Sequence, residues 1–306
     1  MSRPRRFVVT GLRGQVAQSL ANLGAARHDV EVIAVGRPDL DLSKPERIAK
    51  AIEAARPDVI VSAAAYTAVD QAEGDEDVAC IVNATAPGEL ARVAKALKVP
   101  IIHLSTDYVF DGRKSEPYIE SDPVAPLGAY GRTKLTGERL VASMHDDHAI
   151  LRTAWIYSPF GKNFLRTMLR AAETRTEVSI VDDQIGNPTS AIDLADAILK
   201  VGHNLLDSSD PALRGLFHLT GTGEATWAGF AEEIFAISGA LGGAVARVAR
   251  ISTSEYPTAA QRPLNSRLSC ERIGKSHGVV LPDWRISTAD VVKGIRQARF
   301  KWERVE

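Results

Sequence analysis

The chain is poor in cysteine, with only Cys80 and Cys270 among its 306 residues. A disulfide framework needs several cysteine pairs, so the sequence favours a reducing compartment and predicts a cytoplasmic protein. Neither thiol has a second Cys or a His at metal-ligand spacing, which argues against a thiolate metal site. We predict no bound metal. The one remaining metal hypothesis, a site at an interface, rests on Glu303 and Glu306 alone.

Long apolar runs and an excess of charge of one sign are also missing. No run approaches the ~20 apolar residues that cross a membrane, and the basic residues at 1–6 lead into a strand-like run rather than a signal peptide. The formal net charge is −1, which leaves no broad basic surface. We therefore predict neither a membrane nor a nucleic-acid partner. The length fits one large or two modest globular domains.

Short apolar runs alternate with helical patterns through the first half of the chain. Runs of this near-continuous apolar kind are typical of strands buried on both faces. We predict an α/β fold with a Rossmann-type, doubly wound parallel sheet. The predicted strands lie at 7–10, 30–35, 59–62, 101–105, 149–152 and 178–181. The predicted helices lie at 12–23, 45–55, 76–97 with an interruption at Pro87, 130–144, 163–173, 192–206, 226–238 capped by Thr226, and 287–300 capped by Ser287.

A glycine turn joins the first strand to the first helix. Gly11 and Gly14 are followed by Gln15, Val16 and Ala17, the spacing G-x-x-G-x-x-A. Small residues let the backbone approach a pyrophosphate, and a helix N-terminus presents free N–H groups to it. A tight turn without a ligand is the alternative. The strand–turn–helix context favours a dinucleotide site.

The residues after the second strand bear on which dinucleotide binds. NAD enzymes usually place an acidic residue there, whereas this chain has Gly36 and Arg37. A guanidinium suits a 2′-phosphate, so NADP(H) is the preferred cofactor and NAD(H) the second choice. Asp41 and its neighbour Leu42 are predicted at the same cofactor site. A plain solvated charge remains the alternative for Arg37.

Small residues also follow the third strand, where Ala64 and Ala65 precede Tyr66. They leave room for a ligand at the rim of the sheet, although a crowded core turn also favours alanine. We assign these three residues to the cofactor site. Residues 1–155 are then mainly an NAD(P)-binding Rossmann domain. Residues 156–306 are mainly a smaller, interleaved α/β substrate-binding part, with some segments returning to the Rossmann domain.

A tyrosine and a lysine share one face of the predicted helix at 130–144. Tyr130 and Lys134 are four residues apart, and a nearby ammonium favours a phenolate. Such a pair on a solvated helix is common, so it carries weight only in context. Thr106 supplies context, because the carboxyl end of the fourth strand can bring its hydroxyl to the following helix. A capping role is the alternative for Thr106.

Together these motifs resemble the extended short-chain dehydrogenases/reductases and, within them, the dTDP-4-dehydrorhamnose reductase family. The resemblance covers nearly the whole chain. Besides the glycine turn and the Tyr130-x-x-x-Lys134 pair, it rests on the stretches at 64–70, 105–112, 118–122, 152–157, 161–164, 183–189 and 262–268. Related dehydratases have an acidic residue where Tyr108 stands, so the resemblance favours reduction without elimination.

The resemblance implies hydride transfer from a reduced nicotinamide to C4 of a dTDP-4-keto-6-deoxyhexose, giving dTDP-L-rhamnose. It implies that Tyr130 donates the proton, that Lys134 holds the nicotinamide ribose, and that Thr106 hydrogen-bonds the carbonyl or the tyrosine. Lys134 and Tyr130 would then also contact the cofactor. The residues expected at the sugar nucleotide are Thr67, Val69, Thr106, Asp107, Tyr108, Trp155, Asn163 and Arg262.

Several alternatives stay open at this point. Arg262 suits either the substrate diphosphate or a structural ion pair, and Trp227, at helical spacing with Phe230 and Ile234, is interpreted as core. The chain as a whole could reduce another nucleotide-4-ketosugar. Two other classes are a non-catalytic regulatory subunit resembling that of methionine adenosyltransferase and a nicotinamide-dependent redox sensor. The expected partners are a dTDP-sugar and, as an open alternative to a monomer, a second copy of the chain.

Overall fold

The computed structural model describes residues 3–297 and has a mixed α/β architecture. Its strands are, in chain order, β1 (Arg5–Thr10), β2 (Val30–Val35), β3 (Val59–Ser62), β4 (Ile101–Thr106), β5 (His148–Thr153), β6 (Ile156–Tyr157), β7 (Glu177–Val181), β8 (Ile185–Gly186), β9 (Thr189–Ser190), β10 (Gly215–His218), β11 (Ala225–Thr226) and β12 (Arg247–Ile251). Its helices are α1 (Gln15–Ala25), α2 (Ile48–Ala55), α3 (Val69–Ala72), α4 (Glu76–Cys80), α5 (Ala86–Leu97), α6 (Ala129–Met144), α7 (Phe164–Ala172), α8 (Ala191–Asp207), α9 (Trp227–Ala240), α10 (Glu271–His277) and α11 (Trp284–Arg296).

A six-stranded parallel sheet forms the centre of the molecule, in the order β10-β5-β4-β3-β1-β2. Alternate strand residues face opposite sides. Phe7 and Val9 pack with α1 and α8, whereas Val8 packs with α2 and α5. All three side chains are fully buried, which explains the continuous apolar run in the sequence. The predicted Rossmann-type sheet is confirmed.

Later segments build a smaller layer beside the carboxyl end of the sheet. Its two-stranded sheets pair β6 with β9, β7 with β12, and β8 with β11. Its core contains Tyr157, Phe230 and Trp284, all nearly inaccessible to solvent. β10 returns to the edge of the large sheet beside β5. The domain boundary at 155/156 stays a prediction.

Several element boundaries differ from the prediction. The helical stretch from Glu76 to Leu97 departs from α geometry in a π turn (Ile81–Thr85), whereas Pro87 lies in the first turn of α5, where a missing N–H costs nothing. Thr226 caps α9 as predicted.

The predicted start of the final helix, with Ser287 as its N-cap, is wrong. α11 begins at Trp284 with Asp283 as its cap, and the Ser287 hydroxyl donates to Asp193 at 2.5 Å instead. α10 and β12, which are short, were not predicted from the sequence. The predicted end of the last helix at 300, and the metal hypothesis on Glu303 and Glu306, lie outside the described residues. No helix within 3–297 is long and apolar enough to span a bilayer.

Candidate active site

The helix α6 meets the carboxyl end of β4 at close range. A Cβ at Gly131 would lie 2.2 Å from the carbonyl oxygen of Tyr108, so this approach requires glycine. The Glu73 carboxylate accepts a hydrogen bond from the Ala129 backbone N–H at 2.8 Å, which satisfies a free donor at the start of the helix. These contacts place the first turns of α6 against the strand end.

Tyr130 lies in that first turn beside Thr106. Burial raises the pKa of the Tyr130 phenol to about 12, and the neighbouring Thr106 hydroxyl only partly opposes this. The prediction that the lysine lowers the pKa of the phenol is therefore wrong. A phenol with this pKa is protonated at neutral pH, which is the form that a proton donor in a reduction requires.

Lys134 follows one turn later and is 3% exposed. Its Nζ donates to the Leu104 carbonyl oxygen at 2.6 Å. Burial lowers the Lys134 pKa to about 8, with Glu138 acting in the opposite direction. The ammonium is thus still mainly charged at pH 7, one helical turn from Tyr130.

Thr106 and Asp107 end strand β4. The Thr106 hydroxyl donates to Asp107 Oδ1 at 2.9 Å and accepts from the Tyr108 backbone N–H at 3.2 Å. Asp107 is 2% exposed, and burial raises its carboxyl pKa to about 6 although Ser266 and Thr106 lower it. Its Oδ2 has no hydrogen-bond partner in the described part of the chain.

Trp155 stands just after β5 in a left-handed backbone conformation, with φ of 47°. A bulky residue rarely adopts this conformation, and such strain clusters at functional sites. Its ring stacks on Trp227, with centroids 3.6 Å apart and planes 6° from parallel. Gly186 packs under the ring, since a Cβ there would lie 2.5 Å from it. The assignment of Trp227 to the core was therefore incomplete: it is half-buried and forms one side of an aromatic pair.

Arg262 reaches back from the second part of the chain to the Rossmann part. Its guanidinium donates to both carboxylate oxygens of Asp70, at 2.8 and 3.2 Å. It also lies beside the Tyr108 hydroxyl, and Tyr108 is partly buried. The structure thus contains the ion pair that was the alternative for Arg262, next to Tyr108.

The glycine turn has the geometry of an anion cradle. Gly11 has φ of 100°, in the region that glycine alone adopts readily. A Cβ on Gly14, the residue before α1, would meet nothing within 4 Å, so the space in front of the turn is open. No side chain caps α1 and its first turn holds no acidic residue. Its free N–H groups fit a pyrophosphate.

The side chains of the two residues after Gly14 make contacts within the protein. Gln15 Oε1 accepts hydrogen bonds from the Ser158 hydroxyl at 2.8 Å and from Asn163 Nδ2 at 3.0 Å, and Val16 is buried in the core. Asn163 also caps α7, its Oδ1 accepting from the Arg166 backbone N–H. Its amide is thus engaged within the protein, between the glycine turn and α7, and its predicted contact with the sugar stays a prediction.

The three residues predicted to bind the cofactor after β2 differ in exposure and in hydrogen bonding. Arg37 is exposed, and its guanidinium forms no hydrogen bond within residues 3–297. Asp41 accepts from the Ser43 hydroxyl at 2.8 Å and from its N–H at 3.0 Å, contacts that lower the Asp41 pKa. Leu42 is buried against α2. Arg37 is therefore an exposed cation available directly after β2.

Two polar residues that sequence reasoning missed hold the loop after β3. The Thr10 hydroxyl accepts from the backbone N–H groups of residues 63 and 64, both at 3.0 Å. Asn83, in the π turn, accepts from the Tyr66 N–H at 2.8 Å and donates to the Tyr66 carbonyl. π turns are frequent at functional sites, and a fully buried Asn within an apolar helical stretch was the available signal.

The rest of that loop faces outward. Ala64, Ala65 and Tyr66 are half-buried, Thr67 is exposed and Val69 begins α3. They lie between the glycine turn and α6, so the predicted cofactor and sugar contacts are adjacent in space. Within 3–297 no group of three or more His, Cys, Asp or Glu is placed to hold a metal ion.

Comparisons with known proteins agree with this geometry. The family model described as the RmlD substrate binding domain matches residues 5–297. The dTDP-4-dehydrorhamnose reductase of Sinorhizobium fredii is 49% identical, over 94% of this chain and 96% of that protein. The chain belongs to the dTDP-4-dehydrorhamnose reductase family.

Other members give the same relationship. The enzyme of that name from Burkholderia thailandensis is 45% identical, over 95% of this chain and 99% of that protein. A solved dTDP-4-dehydrorhamnose reductase from Bacillus anthracis, in complex with NADP, superposes with a TM-score of 0.87 at 32% identity, covering 94% of this chain and 98% of that one. The family resemblance inferred from the motifs is confirmed.

Proposed function

We propose that this protein uses NAD(P)H to reduce dTDP-4-dehydro-L-rhamnose to dTDP-L-rhamnose. In support, its relatives are named dTDP-4-dehydrorhamnose reductase, and the solved structure from Bacillus anthracis is a complex with NADP. The observation that carries the proposal is the position of the partly buried Tyr130, beside Thr106 and one helical turn from the buried Lys134. This constellation lies at the carboxyl end of a Rossmann sheet, next to an anion cradle in the glycine turn.

The residues of the chain divide the proposed reaction among them. When bound, the nicotinamide supplies the hydride. Tyr130 holds the proton that the ketone oxygen needs as it gains negative charge, and transfer of that proton builds negative charge on the Tyr130 oxygen. Lys134 places a positive charge one turn away, which stabilises that developing charge. Thr106 supplies a hydroxyl on the other side of Tyr130, and Trp155 forms a wall of the sugar pocket.

A direct assay tests the proposal. The 4-keto substrate is generated with a dehydratase and a 3,5-epimerase, and the loss of NADPH or NADH absorbance is followed. We expect ketone-dependent oxidation and none with dTDP-glucose, which has no keto group. A regulatory subunit or redox sensor predicts dinucleotide binding without turnover. Absence of turnover with either cofactor, in protein that binds the dinucleotide, would therefore reject the reductase proposal.

We also propose that NADP(H) is preferred, because Arg37 is an exposed cation directly after β2. Arg37→Asp should lower the ratio of kcat/KM with NADPH to that with NADH by about 10-fold or more, since hydrogen bonds to charged groups contribute about 1.5–3 kcal/mol. Arg47→Asp is the matched control, as it alters an equally exposed arginine further along the same connection. An unchanged ratio in Arg37→Asp would show that Arg37 does not read the 2′-phosphate.

Arg262 is proposed to exchange Asp70 for the substrate diphosphate. Arg262→Gln should raise KM for the dTDP-sugar about 10-fold or more, because a charge-assisted bidentate contact is lost. Asp70→Asn is the matched variant: it breaks the same ion pair but leaves the guanidinium free, so KM should stay equal or fall. If both variants raise KM alike, the pair is structural and Arg262 does not bind the diphosphate.

Location and assembly complete the proposal. Cys80 and Cys270 are both free thiols, which suits a reducing cytoplasm. The homodimer also remains a proposal, and light scattering of the purified protein tests it.

A further inference from the structure

Asp107 is a buried carboxyl group at the end of a chain of hydrogen-bonding groups that starts at Tyr130. Thr106 lies between the two, close to the Tyr130 phenol and 2.9 Å from Asp107 Oδ1. The second carboxyl oxygen has no partner within the described residues, and only 2% of Asp107 is exposed. A buried, half-satisfied carboxyl is costly, and such groups concentrate where they serve chemistry.

The donors and acceptors in the hydrogen-bonded series Tyr130–Thr106–Asp107 can be counted. The Thr106 hydroxyl has one hydrogen and two lone pairs, and the Tyr108 N–H occupies one lone pair. If Asp107 is ionised, it takes the Thr106 hydrogen. Thr106 can then only accept from Tyr130, which turns the phenol proton away from a substrate. If Asp107 is neutral, it donates to Thr106, Thr106 donates to the Tyr130 oxygen, and the phenol proton is free.

We propose that Asp107, as the neutral acid, is the proton reservoir behind Tyr130 and passes a proton through Thr106 while Tyr130 protonates the ketone oxygen. This inference rests on the reductase function proposed above. It gives Asp107 a role in proton supply, beyond the sugar contact that the family resemblance implies.

The proton transfers balance. The Tyr130 O–H bond breaks as the substrate oxygen gains a hydrogen. The Thr106 proton moves to the Tyr130 oxygen, and the Asp107 proton moves to Thr106. Tyr130 and Thr106 end unchanged, Asp107 ends as a carboxylate, and one proton has entered the product. Water restores the Asp107 proton when the site opens after the reaction.

The surroundings of Asp107 suit this cycle. Ser266, from the segment that carries Arg262, lies near the carboxyl and lowers its pKa, but burial outweighs it and raises the pKa to about 6. The other titratable groups of the site are Tyr108, Tyr130 and Lys134, which titrate at about 8 or above, and Arg262, which stays charged. We therefore assign a pH dependence near 6 to Asp107, and its loss in Asp107→Asn tests that assignment.

The first test is the pH dependence of kcat/KM, which reports the groups of the free enzyme. Because Asp107 must be protonated, the wild-type value should fall as pH rises through about 6. In Asp107→Asn the amide can still orient Thr106 but has no acidic proton to release. We expect kcat/KM about 10-fold or more below wild type under pH 6, and no dependence on pH through that region.

A second test, which does not rely on Asp107→Asn, measures how many protons move in the same step. Rates measured in mixtures of H₂O and D₂O should depend non-linearly on the deuterium fraction in wild type and in Thr106→Ser, which keeps a hydroxyl. Thr106→Val breaks the chain, so its residual rate should depend linearly. A linear dependence in wild type would mean a single transfer from Tyr130 and would overturn the proposal.

A third measurement needs neither substrate nor cofactor. Infrared difference spectra between pH 5 and 8 should contain a protonated-carboxyl band with a midpoint near 6 that is absent in Asp107→Asn. Loss of turnover with every ketosugar would reject the reductase but leave this band in place. Turnover in a protein that lacks the band, or an Asp107→Asn variant with the wild-type pH profile, would reject the proton reservoir alone.

Discussion

Tyr130→Phe should lower kcat for ketone reduction by about 100- to 10,000-fold, the usual contribution of a positioned acid. The ring remains, so the hydrophobic packing of Tyr130 against the Tyr108 ring, with centroids 5.8 Å apart, is kept. Only the hydroxyl is lost, and with it the proton next to Thr106. KM for the sugar nucleotide should change little, because the loss is confined to the reacting atoms. Steady-state kinetics at saturating cofactor give both values.

Tyr157→Phe is the matched control for this variant. Tyr157 is also buried, and its hydroxyl donates to the Trp284 carbonyl at 3.1 Å and accepts from Thr288 at 2.9 Å. Loss of the Tyr157 hydroxyl should lower the unfolding free energy by about 1–3 kcal/mol, since it leaves buried partners unsatisfied. Tyr157→Phe should have a kcat close to that of wild type. Equal losses of kcat in the two variants would mean that Tyr130 supports the fold rather than the proton transfer.

The parts of this site that sequence could predict are those written in local patterns. The glycine turn, the end of β4 and the Tyr130–Lys134 spacing each depend on a few neighbouring residues, and the structure brings them together because parallel strands end at one edge. The apolar strands were predicted for the same reason: burial on both faces leaves a continuous apolar run.

What sequence could not predict depends on contacts between distant residues. Asp70 and Arg262 are 192 positions apart, so neither residue reveals the other. The stacking partner of Trp155 was hidden because Trp227 has an ordinary core spacing on α9. The sequence also led to the wrong direction for the Tyr130 pKa shift. Burial raises this pKa, and burial depends on tertiary packing that the sequence pattern does not show.

The same α6 face continues to a buried ion pair, and this pair carries the largest expected effect on stability. Glu138 accepts two hydrogen bonds from Arg152 of β5, at 2.8 and 2.7 Å, and a third from the Ser105 hydroxyl of β4. Both charged side chains are nearly inaccessible, at 6% and 3%. Glu138→Gln leaves the Arg152 charge buried without a counter-ion and should cost about 3–5 kcal/mol. Thermal or denaturant unfolding measures it.

The chain offers a matched exposed pair on the same helix. Arg132 of α6 donates to Glu76 at 2.8 Å, with both side chains about half exposed. Glu76→Gln should cost no more than about 1 kcal/mol, because water screens and solvates the partner left behind. The double variant Glu138→Gln with Arg152→Met should lose less than the sum of its single variants. Equal losses at the buried and exposed pairs would show that the buried pair stabilises the fold no more than a surface contact.

Glu138 also couples this stability to the chemistry, because it raises the pKa of Lys134 against the effect of burial. A lysine whose pKa is lowered to about 8 is charged below that pH and neutral above it. If the ammonium stabilises the negative charge that develops on the Tyr130 oxygen, wild-type kcat/KM should fall again as pH rises through about 8, above the fall assigned to Asp107. In Glu138→Gln the Lys134 pKa drops further, so the fall should begin at lower pH, measured at a temperature where both proteins are folded. If kcat/KM falls at the same pH in both proteins, the fall is due to a group other than Lys134. If it falls at lower pH in Glu138→Gln, the ion pair that joins α6 to β4 and β5 also controls the charge of Lys134.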